Sequence, residues 1–212
     1  MPMTFVKICG ITNLADALLA VEAGADALGF NFYPRSPRYI QPQAARVIID
    51  NLPGHVLTVG VFVNEETPAA VEEIAAAAGV KALQLHGDES PAFCAALSHH
   101  YVIKVLPIGP DFDATAALEY DVPAFMVDVL DKKVRGGTGR VVDWSKARIL
   151  RDLVPQLFLA GGLSAANVRE AISLVEPYAV DACSALEISP GKKDAEKVRE
   201  FVHAVANPAV KT

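Results

Sequence analysis

The chain is predicted to be an α/β protein whose parallel strands close into a (β/α)8 TIM barrel, and three observations carry that expectation. Apolar, β-branched runs recur eight times, at residues 5–9, 26–30, 57–63, 82–85, 102–106, 124–129, 157–160 and 179–182. A stretch with helical period follows each run, which is the signature of βα units and a parallel sheet. No G-x-G-x-x-G turn follows the first run, so the rival open doubly wound sheet lacks its usual phosphate-binding turn. With 212 residues the barrel is near the short end of its size range, so its loops must be lean. No low-complexity segment or linker interrupts the alternation, and residues 1–212 are expected to form a single catalytic domain.

The first run, FVKIC, alternates its side chains across the strand. Val6 and Ile8 share one face, which should meet the helices, and Lys7 and Cys9 share the other, which should point into the barrel. Gly10 follows, and Asn13 precedes LADALLAVEAG as a helix-opening residue whose side chain can accept from an orphan amide. Gly24 stands where that helix needs a left-handed stop. The second run leads into FNFYPRSPRYIQP, a proline-restrained loop carrying Arg35 and Arg38. After the third run, Thr67-Pro68 opens AAVEEIAAAAG and Gly79 is its terminal glycine.

The fourth run turns Gln84 and His86 inward by the same parity, and Ser90-Pro91 opens the next helix. The sixth run turns Met126 and Asp128 inward, then continues into a glycine-rich loop with Gly136, Gly137, Thr138 and Gly139. That much glycine suits either a mobile lid or a plain connection. Gly161-Gly162 follows the seventh run, and Ser164 is expected to open the helix after it. Asp181 faces inward on the eighth run, and Cys183-Ser184-Ala185 is expected to begin a short extra helix.

Bulk properties exclude several classes of protein. Hydrophobic residues make up 52% of the chain and charged residues 21%, with a formal net charge of −6. This is a globular composition without the basic excess of a general nucleic-acid binder. No apolar run reaches the roughly 20 residues of a membrane helix, and the amino terminus lacks a signal-peptide pattern. The three cysteines, Cys9, Cys94 and Cys183, are odd in number and form no C-x-x-C pair. They suit a reducing, cytoplasmic setting and give neither a disulfide framework nor a zinc site. The histidines show no ligand spacing with carboxylates, so no metal and no cofactor is expected. The expected partner is a small molecule, with no nucleic acid and no membrane, and the chain is a monomer or a homodimer.

Polar residues collect at the strands' carboxyl ends, where barrel active sites are assembled. Cys9 is either inert filling or a base activated by the positive charge of Lys7. Asp128, an acid at the end of an apolar run, must be paired, solvated or functional, and partial burial would favour its protonated form. Asp181 presents the same choice and suits substrate orientation. Gly161-Gly162 and the segment at Cys183 and Ser184 stand where barrels bind phosphate, although a glycine pair also makes an ordinary turn. Arg35 and Arg38 are either solvated or hold a carboxylate at two points.

Taken together, KICGIT, GADALGFNFYPRSPRYI, VGVFVNE, LQLHGDE, GGTGRVVDW, LAGGLSAANV and VDACSALEISPGKKD resemble the phosphoribosylanthranilate isomerases of tryptophan biosynthesis, in order and over nearly the whole chain. That resemblance implies a (β/α)8 barrel performing an Amadori rearrangement of N-(5-phosphoribosyl)anthranilate without metal or cofactor. It implies Cys9 as general base, Asp128 as general acid and Arg38 at the anthranilate carboxylate. Lys7, His86 and Asp181 would contact or orient substrate, and Gly161, Gly162, Cys183 and Ser184 would hold phosphate. One motif departs from the family's usual S-S-G-V-E and reads Cys183-Ser184-Ala185-Leu186-Glu187 here. Ala185 must therefore avoid a positive φ.

Three other readings compete. Indole-glycerol-phosphate synthase would be expected to need inward lysine and glutamate. A histidine-pathway isomerase would be expected to place aspartates at the ends of strands one and five, where this chain has Cys9 and Leu106. A non-catalytic phosphosugar-binding barrel would bind without turnover.

Overall fold

A computed structural model describes residues 4–129 and 143–207. The glycine-rich loop with Gly136, Gly137, Thr138 and Gly139 lies outside the described residues. Eight parallel strands close into a barrel in sequence order: β1 Phe5–Ile8, β2 Ala27–Asn31, β3 Leu57–Phe62, β4 Ala82–Leu85, β5 Tyr101–Ile108, β6 Ala124–Val129, β7 Leu157–Leu159 and β8 Ala179–Ala182. Helices α1 Leu14–Ala23, α2 Pro42–Ile49, α3 Pro68–Ala78, α4 Pro91–Ala96, α5 Trp144–Arg151, α6 Val168–Val175 and α7 Ala195–Ala206 surround it.

Alternation divides the apolar residues into two cores. Ile8, Leu28, Phe30, Leu83, Leu85, Phe125, Val127 and Val180 pack outward beneath the helices. Ala27, Val59, Ala82, Ile103, Val105, Ala124, Met126, Phe158 and Ala179 fill the interior. Small alanines against Phe158 and Met126 let side chains of unequal size interlock, as a packed barrel requires. Phe5, Phe158 and Tyr178 stack across the amino-terminal end, with Phe5 and Tyr178 ring centroids 5.8 Å apart. Among the described residues the inward charged side chains, Lys7, Asp128 and Asp181, lie toward the other end.

The helices start where side chains can take orphan amides. Asn13 accepts from Asp16, Thr67 from Ala70 and Ser90 from Phe93, and Pro68 and Pro91 occupy first helical positions. Gly24 at φ +105° and Gly79 at φ +75° end α1 and α3 in the left-handed region, which costs glycine little. Two local expectations are corrected. The segment after β5 forms a 3-10 helix, Ala114–Glu119, rather than an α-helix. Pro110 and Pro123 bracket it and leave room only for a short, tightly wound piece. Ser164 does not open α6. Asn167 Oδ1 accepts from the Ser164 amide at 2.8 Å while Asn167 Nδ2 donates to the Gly162 carbonyl at 3.0 Å. Those bonds hold residues 164–167 as turns, and the helix begins at Val168.

A small hairpin, β9 Glu187–Ser189 with β10 Lys192–Lys193, follows β8 and was not expected from the sequence. Its turn contains Pro190-Gly191, with Gly191 at φ +80°, a dipeptide that favours turns. The hairpin docks on the first βα loop, with Thr12 Oγ1 donating to the Gly191 carbonyl and the Lys193 amide to Asp16.

A buried pair fixes the loop after β4. Lys104 Nζ donates to Glu89 Oε2 at 2.7 Å and to the Gly87 carbonyl at 2.8 Å, and both side chains are 2% exposed. Glu89 Oε1 accepts the amides of Asn64 and Gly87. Glu89→Ala would strand a buried ammonium, and a loss of about 3–5 kcal/mol is expected on removing one partner of such a pair. Urea unfolding of the variant beside wild type reads that loss directly.

Candidate active site at the barrel mouth

The site is built from the carboxyl ends of β1, β4, β6, β7 and β8. Lys7 is fully buried and its Nζ donates to Asp181 Oδ1 at 2.7 Å across the β1–β8 seam, where the two residues stand in register. Burial alone would weaken the Lys7 ammonium's hold on its proton, but Asp181 and Cys9 outweigh it and raise the pKa. Burial pushes the Asp181 carboxyl up to about 7 against the pull of Lys7. Lys7 has no exposed surface, so the structure places it beneath the cleft as a fixed positive charge.

Cys9 lies one residue beyond β1, its amide still bonded to the Ala182 carbonyl at 3.0 Å. Its side chain points inward. A Cβ built on Gly29 would stand 2.7 Å from Cys9 Sγ and 3.2 Å from Lys7 Nζ, so a glycine on β2 makes room for both. The Cys183 thiol hydrogen-bonds to Cys9, and Lys7 and Lys193 add positive charge; together they outweigh burial and hold the Cys9 thiol well below its ordinary range. Cys183 moves the other way, raised by the same hydrogen bond and by burial.

Gly10 answers two demands at once. Its φ is +77°, and an added Cβ would stand 2.7 Å from Arg38 Cδ and 2.9 Å from Cys183 Sγ. The Arg38 stem therefore crosses the chain just where glycine follows the thiol. Arg38 Nε and Nη2 grip the Glu187 carboxylate at 2.9 and 2.7 Å, a two-point arrangement suited to a guanidinium. Lys193 Nζ reaches the same carboxylate at 3.0 Å. Burial opposes ionisation of Glu187, but Arg38 and Lys193 prevail and lower its pKa. Arg35, by contrast, is exposed, and the solvated reading holds for it.

On the other side of the mouth, Asp128 approaches His86, with Oδ2 3.5 Å from Nε2. Gln84 Nε2 lies 3.0 Å from His86 Nδ1. A donating Gln84 amide leaves the Nδ1 lone pair occupied and puts the ring proton on Nε2, toward Asp128. Gln84 Oε1 is buried without a partner among the described residues.

Asp128, Gly161, Gly162, Asp181, Cys183, Ser184 and Ala185 line one cleft. Gly161 at φ +88° and Gly162 at φ +71° turn the backbone after β7, and a 3-10 helix, Ser184–Leu186, follows Cys183 as expected. Ala185 avoids a positive φ: among the described residues only Asn64 and Glu176 have one without being glycine. The structure therefore brings Lys7, Cys9, Asp128, Asp181, Cys183, Ser184 and the glycine pair to one mouth, with Arg38 and His86 at its edge. Glu187 and Lys193 were missed. Their signal was the hairpin, in which Lys193 stands in register with Glu187. Folding brings Glu72 on α3 to His99 and His100 in the turn between α4 and β5, with Glu72 Oε1 2.7 Å from His99 Nε2, away from the cleft.

A family model described as N-(5'-phosphoribosyl)anthranilate (PRA) isomerase matches residues 6–204. The chain belongs to the N-(5'-phosphoribosyl)anthranilate isomerase family. It is 52% identical over 203 residues to the isomerase of Thermotoga neapolitana, covering 94% of this chain and 97% of that one. The isomerase of Geobacter metallireducens is 48% identical, over 94% and 98% of the two chains. The crystal structure of the Thermotoga maritima isomerase superposes with a TM-score of 0.89 at 44% identity, over 96% and 98% of the chains. A related isomerase solved in complex with reduced 1-(o-carboxyphenylamino)-1-deoxyribulose 5-phosphate superposes with a TM-score of 0.84 at 43% identity, over the same shares. The chain is thus an isomerase of tryptophan biosynthesis on a TIM barrel.

Gly29→Ala forces its new methyl into Cys9 and Lys7. A stability loss of about 1–3 kcal/mol is expected from overpacking, together with reduced turnover. Thermal unfolding and steady-state kinetics check the two effects separately.

Proposed function

We propose that Cys9 and Asp128 are the base and acid with which this isomerase converts N-(5-phosphoribosyl)anthranilate to 1-(o-carboxyphenylamino)-1-deoxyribulose 5-phosphate. The observation that carries the reading is a thiol held toward its anionic form, its amide bonded to the Ala182 carbonyl in the wall of the cleft that Asp128 also lines. Asp128 gives a proton to the ribose ring oxygen, and the bond from that oxygen to C1 opens to a Schiff base with the anilino nitrogen. The Cys9 thiolate takes the proton from C2, and the resulting enolamine tautomerises to the aminoketone. Lys7 keeps the sulfur anionic before the transfer, and Asp181 orients the sugar. His86 directs the Asp128 carboxyl.

Gly161-Gly162 and the turn at Cys183-Ser184 suit a phosphate, since glycine lets amides approach an anion closely. Arg38 keeps Nη1 free of protein acceptors among the described residues, which leaves a donor for the anthranilate carboxylate. The two ends fixed in this way hold C1 and C2 between acid and base. A cytoplasmic location agrees with three free cysteines and with the absence, among the described residues, of a helix long and apolar enough to cross a membrane. A solved T. maritima structure is described as monomers generated from a dimeric isomerase, and a monomer or a homodimer is our reading for this chain.

Cys9→Ala and Asp128→Asn are each expected to lower kcat by about 10²–10⁴-fold, the usual worth of one positioned acid or base. Both variants should keep wild-type circular dichroism and inorganic phosphate binding. Near-full turnover by Cys9→Ala would reduce that thiol to packing. Arg38→Ala should instead raise KM for the anthranilyl substrate.

The pH profile carries a sign. A base must be deprotonated to act, and Cys183, Lys7 and Lys193 lower the Cys9 pKa. The acid limb of kcat/KM should therefore fall below the ordinary thiol value of about 8.5, and activity should persist as pH drops through it. A limb at or above that value would remove Cys9 from the role of base.

A further inference from the structure

Cys183 stands where the family's usual motif has serine, and its placement beside Cys9 is close. Ile8 and Ala182 are register partners on β1 and β8, and the residue that follows each strand is a cysteine, Cys9 and Cys183. Adjacent strands lie about 4.8 Å apart, inside the roughly 4.4–6.8 Å between Cα atoms that disulfides span. Cys183 Sγ lies against the chain directly after Cys9, 2.9 Å from where a Cβ on Gly10 would stand. Each rests against a glycine, Cys9 on Gly29 and Cys183 on Gly10, so neither is screened from the other by a bulkier side chain. Cys183 also lines the cleft, and Cys9 is 9% exposed, which gives a small oxidant a route. The third thiol, Cys94, is fully buried in the outer core on α4.

We propose that Cys9 and Cys183 are a peroxide-oxidisable dithiol, closing to a disulfide that switches the isomerase off and reopening on reduction. The Cys9 thiolate attacks one oxygen of hydrogen peroxide. The O–O bond breaks, Cys9 becomes a sulfenic acid, and the departing hydroxide takes up a proton to leave as water. Cys183 then loses its proton and attacks the Cys9 sulfur, displacing hydroxide, which leaves as water with that proton. Two thiols and one peroxide give one disulfide and two waters, and the sulfur pair supplies both electrons. A neighbouring thiol intercepts the sulfenic acid before it climbs to the irreversible sulfinic state. A serine at residue 183 has no sulfur to do so.

Bond formation depends only on the juxtaposition, whereas loss of turnover rests on Cys9 acting as the base. The test treats the reduced full chain with hydrogen peroxide, then measures turnover, its recovery in dithiothreitol, and non-reducing peptide maps. Wild type and Cys94→Ser should yield a Cys9–Cys183 linked peptide and lose turnover by about 10²–10⁴-fold, as expected for a blocked base. Both should regain it on reduction. Cys183→Ser, scored against its own reduced activity, should lose turnover without regaining it, with Cys9 recovered as sulfinic acid. Absence of the linked peptide from wild type would overturn the dithiol and leave the base assignment standing, and this map decides the matter even if the variant fails to fold. A linked peptide with undiminished turnover would overturn the switch together with the role of Cys9. Equal recovery by Cys183→Ser would also overturn the proposal.

Discussion

The Lys7–Asp181 ion pair is the constraint around which the mouth of the barrel is arranged. An ammonium and a carboxylate at 2.7 Å, one fully buried and the other nearly so, sit directly above an interior of alanine, valine, isoleucine, methionine and phenylalanine. Moving such charges out of water is expensive, and their attraction compensates only where geometry and further bonds are good. Parallel register between β1 and β8 supplies that geometry. Once the pair is set, its positive end is the nearest counter-charge for Cys9, and Gly29 gives ammonium and sulfur the space to meet. A second ionic group, Arg38 and Lys193 on Glu187, closes the same end from the hairpin side.

Inward charged residues thus lie toward one end of the barrel, while Phe5, Phe158 and Tyr178 stack across the other. The division is the usual one in this architecture, with stability at the amino-terminal face and chemistry at the carboxyl-terminal face. Here it has a visible cause in the strand sequences. Phe5 and Lys7 on β1, Ala179 and Asp181 on β8, and Ala124 and Asp128 on β6 run from apolar to charged in the same direction along the chain.

Strand positions were legible because their signal is local. Alternation of Val6, Lys7, Ile8 and Cys9 tells which side faces in, and the eight runs match the strands to within a residue or two at their ends. The inward aim of Cys9, Gln84, Asp128 and Asp181 follows from the same parity. Helix starts at Asn13, Thr67 and Ser90 were equally readable, since each cap bonds within its own first turn. Ser164 failed because the Asn167 side chain, bonded to the Ser164 amide and the Gly162 carbonyl, holds the segment between them as turns, so that the helix begins only at Val168. Glu187 and Lys193 were invisible because their meaning depends on a hairpin register and on Arg38, 149 residues away in sequence. The relation of Glu72 to His99 and His100 was hidden likewise, since packing of the α4–β5 turn against α3 rather than spacing brings them together.

The Arg38–Glu187 grip also bears on how freely this scaffold can be recombined. Its two residues belong to different βα units, one in the loop that suits a carboxylate and one just past the turn that suits a phosphate. Transplanting either segment alone from a cousin with another aromatic acid would leave half an ion pair stranded against Cys183 and Gly10. Evolution and protein engineers alike must therefore inherit the two segments as a linked cassette.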